Sequence, residues 1–249
     1  MKVYFIGAGP GDPELITLKG DRLIREADLV LYAGSLVPRE IVARAKPGAQ
    51  VVDSAPLTLD QTHALLRDTV CRGGLAARVH TGDPSLYGAV LEQIRLLERD
   101  NISYEIVPGV TAAFAAAAAT AQPLTIPERS QSFIITRLPG RTPVPEKEKF
   151  RDLARHRCAL AVYLSGADVE TLAQELEAAG YPPDTLVTAA HKLGWPGESI
   201  RILPLAELRE LSRDKEFSRQ TVFLIPPRQD GEEAQSKLYS AGFSHGFRK

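Results

Sequence analysis

Short, uninterrupted apolar runs alternate with helix-length segments through the first half of this chain, and that alternation leaves few folds open. Val3-Tyr4-Phe5-Ile6, Leu29-Val30-Leu31-Tyr32 and Leu75 to Val79 are such runs. A strand reads this way when a sheet buries it on both faces. Strands that alternate with helices imply a parallel sheet with right-handed crossovers. Val51-Val52 and Tyr104 to Val107 complete a five-strand set. Thr58 and Gln61 have capping-box spacing, which predicts a helix from there to about Arg72, closed by Gly73-Gly74. A further helix is expected from Tyr87 to Arg99, with Asp83 as a candidate N-cap. In an open α/β sheet, ligands bind at the carboxyl ends of the strands. The turns that follow the apolar runs are therefore the places to look for function.

Pro108, Pro123 and Pro127 interrupt the periodic pattern, and the alternation restarts at Ser132 to Thr136. Two α/β domains are expected, at residues 1–113 and 114–228, with a polar tail at 229–249. In the second, strands are expected at 160–164, near 186–190 and at 221–225, and a helix at 168–179 stopped by Gly180 and Pro182. Ile200-Arg201-Ile202 reads as the approach to a helix at 205–212.

Two of the strand-end turns are glycine loops with a carboxylate and a proline: Gly7-Ala8-Gly9-Pro10-Gly11-Asp12 and Thr81-Gly82-Asp83-Pro84. The first is not a dinucleotide fingerprint. The third glycine of G-x-G-x-x-G would fall on Asp12, Pro10 removes an amide a pyrophosphate would use, and Asp12 would repel phosphate. There is no G-x-x-x-x-G-K-[ST] sequence either. The residues alone point to a small polar or cationic ligand, one class of which is S-adenosylmethionine.

A net charge of −1 over 249 residues argues against nucleic acid or an anionic membrane as partner. Cys71 and Cys158 lie far apart and read as reduced thiols, and the five histidines are scattered, so no metal site is expected. With no leader-like or membrane-spanning segment in the sequence, the cytoplasm is the expected location.

Val3 to Pro13 with Leu15, Thr17 and Gly20 resembles the first signature of the tetrapyrrole methylases. Thr81-Gly82-Asp83-Pro84 with Tyr87-Gly88 resembles their second, and Val107-Pro108-Gly109-Val110-Thr111-Ala112 their third. Leu124-Thr125-Ile126-Pro127, Thr136-Arg137, the loop Gly140 to Pro145, Lys192 and Trp195-Pro196 look like the branch that methylates carbon 11 of precorrin-4. Ser236 to Tyr239 and His245 to Arg248 are similar to its metal-free version.

The resemblance implies two α/β domains of the tetrapyrrole methylase type with a ligand cleft between them, not the usual Rossmann-like methyltransferase fold. It also implies a homodimer that uses S-adenosylmethionine and releases S-adenosylhomocysteine. Carried over by motif, the cofactor-binding residues are Pro10, Thr81, Gly82, Asp83, Leu86, Thr111, Ala112, Leu164, Ala190, Lys192 and Thr221. Arg129, Arg137 and Arg141 are candidates for the substrate's carboxylates.

No covalent nucleophile is required, because the implied substrate is an electron-rich ring carbon. Asp83 is the one residue that could have a catalytic part. His80 could touch substrate or be a hydrogen-bonded strand-end histidine. Trp195 could cover the substrate or be a partly buried packing residue. Other readings are a different ring carbon or substrate within the family, a non-catalytic S-adenosylmethionine sensor, and a nucleotide-dependent oxidoreductase, which Asp12 disfavours.

Overall fold

The computed structural model describes residues 2–227 together with 236, 242–244 and 246. The chain divides into two units. Unit 1 comprises residues 1–115 and 192–198, and unit 2 comprises 116–191 and 199–249. The polar tail expected at 229–249 lies outside the described residues, apart from the few named above.

In unit 1 the apolar runs become strands β1 (Val3–Gly7), β2 (Leu29–Tyr32), β3 (Gln50–Asp53), β4 (Ala76–His80) and β5 (Tyr104–Val107). The helices are α1 (Leu18–Glu26), α2 (Arg39–Val42), α3 (Leu59–Cys71) and α4 (Leu91–Arg99). α5 (Ala112–Ala119) follows β5. The sheet is wholly parallel, as the alternation predicts, in the order β3-β2-β4-β1-β5. A dinucleotide-binding sheet would run 3-2-1. Here β4 lies between β2 and β1, so the strands that carry the glycine loops are direct neighbours.

Each face of this sheet has its own core. Leu23, Ile24, Val30, Ile41, Val79 and Val107 pack on one side, and Phe5, Leu29, Leu31, Leu66 and Leu97 on the other. The α3 capping box forms as expected: Thr58 Oγ1 accepts from Gln61 N–H, and Gln61 Oε1 accepts from Thr58 N–H.

The helix expected from Tyr87 begins only at Leu91. Tyr87 and Ala89 both have left-handed φ, 55° and 48°, which no helix can contain. Between them, a methyl group on Gly88 would come within 2.2 Å of the Pro84 carbonyl oxygen. The segment 84–90 is thus a tightly folded loop.

Unit 2 has strands β6 (Phe133–Arg137), β7 (Ala159–Tyr163), β8 (Leu186–His191), β9 (Ser199–Pro204) and β10 (Thr221–Ile225), in the order β6-β7-β10-β8-β9. Only β6 and β7 are parallel. Helices α6 (Phe150–Ala154) and α7 (Val169–Ala178) pack over one core that includes Leu160, Val162, Leu172, Phe217 and Phe223. The segment Ile200 to Ile202 belongs to an edge strand, and the turns that follow at Leu205–Arg213 are 3-10 rather than α. Pro204 can end such a strand because an edge needs no further ladder donor.

Candidate functional site

Three loops leave the carboxyl ends of the adjacent strands β4, β1 and β5 and close on one another, the first two through backbone hydrogen bonds. Gly9 N–H donates to the Gly82 carbonyl (3.3 Å) and Gly82 N–H to the Gly9 carbonyl (2.7 Å). A methyl on Gly7 would lie 2.6 Å from both the Gly109 backbone and the Gly82 oxygen, and one on Gly109 only 2.1 Å from that oxygen. Gly82 has a φ of +58°, a conformation open to glycine without strain. The glycines are there because the chain passes itself at van der Waals distance.

Asp83 ties the second loop to the third. Its Oδ2 accepts from Gly109 N–H (2.9 Å) and its Oδ1 from Ser85 N–H (2.8 Å). It therefore caps a turn and braces a neighbouring loop; the helix expected at Tyr87, for which it was the candidate N-cap, is absent there. Pro10, Thr81, Gly82, Asp83, Leu86 and Thr111 fall on these three loops and Ala112 opens α5 directly after the third, so the fold brings together seven of the residues chosen for the cofactor. These loops carry two carboxylates, Asp12 and the half-buried, hydrogen-bonded Asp83, and Pro10 in place of one amide, a composition that suits a zwitterionic or cationic ligand better than a phosphate.

His80 is buried behind the second glycine loop. It is 5% exposed, its Nε2 has no hydrogen-bond partner, and burial next to the Arg78 guanidinium pushes its pKa down to about 3. Arg78 is buried beside it on β4, its pKa lowered by desolvation to about 10. It donates to Gln93 Oε1 (3.1 Å) and to the Leu31 carbonyl (3.3 Å). Gln93 in turn donates to the Ala89 carbonyl (2.8 Å), so this chain of bonds reaches the loop 84–90.

In unit 2, Leu164, Ala190 and Thr221 gather at one end of the sheet, since β10 runs antiparallel between β7 and β8. Leu164 combines a left-handed φ of 54° with 70% exposure. A strained backbone that presents a bare leucine is the kind of outlier that clusters at ligand sites. Lys192 also has left-handed φ, 48°. Ala190 is buried, and the Thr221 hydroxyl donates to the Arg219 carbonyl and lies 3.2 Å from His191 Nδ1.

Arg137 donates to the carbonyls of Leu138, Thr142 and Pro143, and so holds the loop on which the exposed Arg141 stands. Arg129 is half-buried near the bridge between Ile126 and Ser130. A hollow of about 570 Å³ lined by Arg157, Tyr181, Thr185 and Pro226 lies at the opposite end of the same sheet from Leu164, and none of the selected residues reaches it.

The sequence profile of the Tetrapyrrole (Corrin/Porphyrin) Methylases matches residues 2–209. The chain belongs to the tetrapyrrole methylases. Its fold is therefore the α/β tetrapyrrole methylase type, as the three signatures imply. Over its whole length the chain is 46% identical to a cobalt-precorrin-4 C(11)-methyltransferase of Priestia megaterium, of which the match covers 98%. It is equally 46% identical, again over its whole length, to a precorrin-4 C(11)-methyltransferase of Pseudomonas aeruginosa, 99% covered.

Among solved structures, a cobalt precorrin-4 methyltransferase of cobalamin biosynthesis superposes with a TM-score of 0.88 at 46% identity, over 90% of this chain and 94% of that one. A more distant tetrapyrrole methylase, the uroporphyrin-III C-methyl transferase of Thermus thermophilus complexed with S-adenyl homocysteine, superposes at 0.73 with 30% identity, over 91% and 92% of the two chains.

Sequence reasoning missed the loop partner of the first glycine loop. Trp195 Nε1 donates to the Pro10 carbonyl (3.0 Å) across 185 residues of sequence. The only signal was a lone tryptophan in a glycine- and proline-rich stretch. Among the described residues, no group of three or more His, Cys, Asp or Glu is arranged to hold a metal ion, and no helix is long and apolar enough to cross a membrane.

Proposed function

We propose that this chain transfers a methyl group from S-adenosylmethionine to carbon 11 of precorrin-4, giving precorrin-5, in cobalamin biosynthesis. The observation that carries the reading is the full-length match, at equal identity, to two relatives whose names share the ring carbon and differ only in cobalt. The cofactor supplies an electrophilic methyl on a cationic sulfonium. The chain's residues supply a mouth of the right polarity, ill suited to phosphate and free of side-chain bulk at Gly7, Gly82 and Gly109.

Catalysis then rests on positioning, which can supply roughly 7–11 kcal/mol of barrier reduction. Asp83 is assigned to anchoring the loops, because both of its oxygens already accept backbone N–H groups. Pro10, Thr81, Gly82, Leu86, Thr111 and Ala112 form the cofactor mouth. Leu164, Ala190, Lys192 and Thr221 complete the set, with the strained Leu164 presenting an apolar surface suited to the adenine. Arg141, on the loop held by Arg137, is assigned to the substrate's carboxylates, with Arg129 and Arg137 in support.

The proposed working form is a cytoplasmic homodimer of domains 1–113 and 114–228.

The test is an incubation of the purified protein with methyl-13C-labelled S-adenosylmethionine and precorrin-4, run in parallel with its cobalt form. A new labelled methyl at carbon 11 is the expected product by carbon NMR. A methyl at another carbon, or none with either substrate, overturns the assignment.

A further inference from the structure

The turn between β8 and β9 does not stay with the sheet those strands build. Residues 192–198 belong to unit 1, where they press on the first glycine loop. The two segments interlock through glycines on both sides. A methyl on Gly11 would come within 2.2 Å of the Leu193 carbonyl oxygen and of the Trp195 ring, and one on Gly194 within 2.1 Å of Asp12 N. The turn is braced from within: Gly194 N–H donates to Glu198 Oε2 (2.6 Å), Trp195 N–H to the Lys192 carbonyl (2.9 Å) and Glu198 N–H to the Trp195 carbonyl (3.0 Å).

From this rigid base, the Trp195 indole N–H reaches the Pro10 carbonyl. Proline has no N–H, so that carbonyl is the only backbone hydrogen-bonding group Pro10 possesses. Asp12, next but one, caps the 3-10 turn that follows, accepting from Glu14 N–H (2.8 Å). The Pro10–Asp12 peptides are thus set from outside the loop, by a residue far away in sequence.

We propose that Trp195 is a positioning residue for cofactor binding: it clamps the Pro10 carbonyl and so holds the first glycine loop in register with Gly82. The proposal rests on the assignment of these loops to S-adenosylmethionine. It gives Trp195 a role in the cofactor half of the reaction, distinct from covering the substrate.

Trp195→Phe keeps a ring in the interlock and removes only the N–H. Loss of one hydrogen bond of ordinary strength corresponds to about a three- to tenfold effect. The expected result is a rise of that size in KM for S-adenosylmethionine and in Kd for S-adenosylhomocysteine by calorimetry, with the larger part of the kinetic effect in KM rather than kcat. A purely structural tryptophan would lower the melting temperature and leave both constants where they were.

The wild-type chain supplies an independent readout, because Trp195 is its only tryptophan. Titration with S-adenosylhomocysteine should change the indole emission with the Kd found by calorimetry. Normal cofactor affinity in Trp195→Phe, or unchanged wild-type emission while calorimetry reports binding, overturns the clamp alone. No binding of S-adenosylhomocysteine by the wild type overturns the clamp together with the cofactor assignment.

Discussion

At the scale of single residues, the site is governed by atoms that are missing. Gly109 has no room for a β-carbon, since the Gly82 oxygen would lie 2.1 Å away. Gly109→Ala must therefore push the second and third loops apart and strain the Asp83 bond to Gly109 N–H. We expect S-adenosylhomocysteine binding to weaken by at least tenfold in that variant, measured by calorimetry. Gly140, which has open space around it, is the matched control.

His80 makes the complementary prediction for pH. Its folded pKa is pushed down to about 3, whereas an unfolded histidine titrates near 6.5. Above that value both states are neutral and the residue contributes nothing to pH dependence. As pH falls from about 6.5 towards 3, the unfolded state takes up the proton first, and stability drops by up to about tenfold in the folding equilibrium per pH unit. His80→Phe, which keeps an aromatic ring against Phe5, should remove the histidine's share of that slope in urea titrations between pH 6.5 and 4.

At the scale of elements, the loop 84–90 shows what the sequence concealed. Tyr87, Val90, Leu91 and Ile94 are spaced like a helix face, so periodicity extends the helix four residues too far. The left-handed Tyr87 and Ala89 are set by the crowding of Gly88 against Pro84 and by the bond from Gln93 to the Ala89 carbonyl. Neither is visible as a pattern. Gln93→Leu should leave the buried Arg78 with only the Leu31 carbonyl and release Ala89, at a cost of about 1–3 kcal/mol by urea denaturation. A change below half a kcal/mol would show the relay to be idle.

By contrast, β1, β2 and β4 were readable because parallel strands buried on both faces leave continuous apolar runs. The capping box of α3 was readable because its two bonds span only three residues. β9 was not, because an exposed edge strand of alternating residues that ends in Pro204 resembles a lead-in to the next helix. The glycine loops announced themselves as motifs, but their mutual closure and the reach of Trp195 to Pro10 depend on the strand order β4-β1-β5 and on a 185-residue separation.

At the scale of the whole molecule, each unit has its own sheet and its own core. Chains built this way tend to unfold in more than one step. Calorimetric scanning should give a van't Hoff enthalpy below the calorimetric one. Acidification from pH 6.5 to 4 should depress most strongly the transition that contains His80. A single transition with matching enthalpies would mean that the cores melt together.

The return of residues 192–198 to unit 1 has a consequence for synthesis. The ribosome delivers β1 to β5 early, yet the turn that grips Pro10 emerges only after most of the second sheet has been made. A nascent chain can assemble the first sheet and all three glycine loops and still lack the Pro10 brace. Tight cofactor capture would then switch on late in elongation, and a chain truncated before position 192 would fold its first sheet without gaining full hold on the ligand.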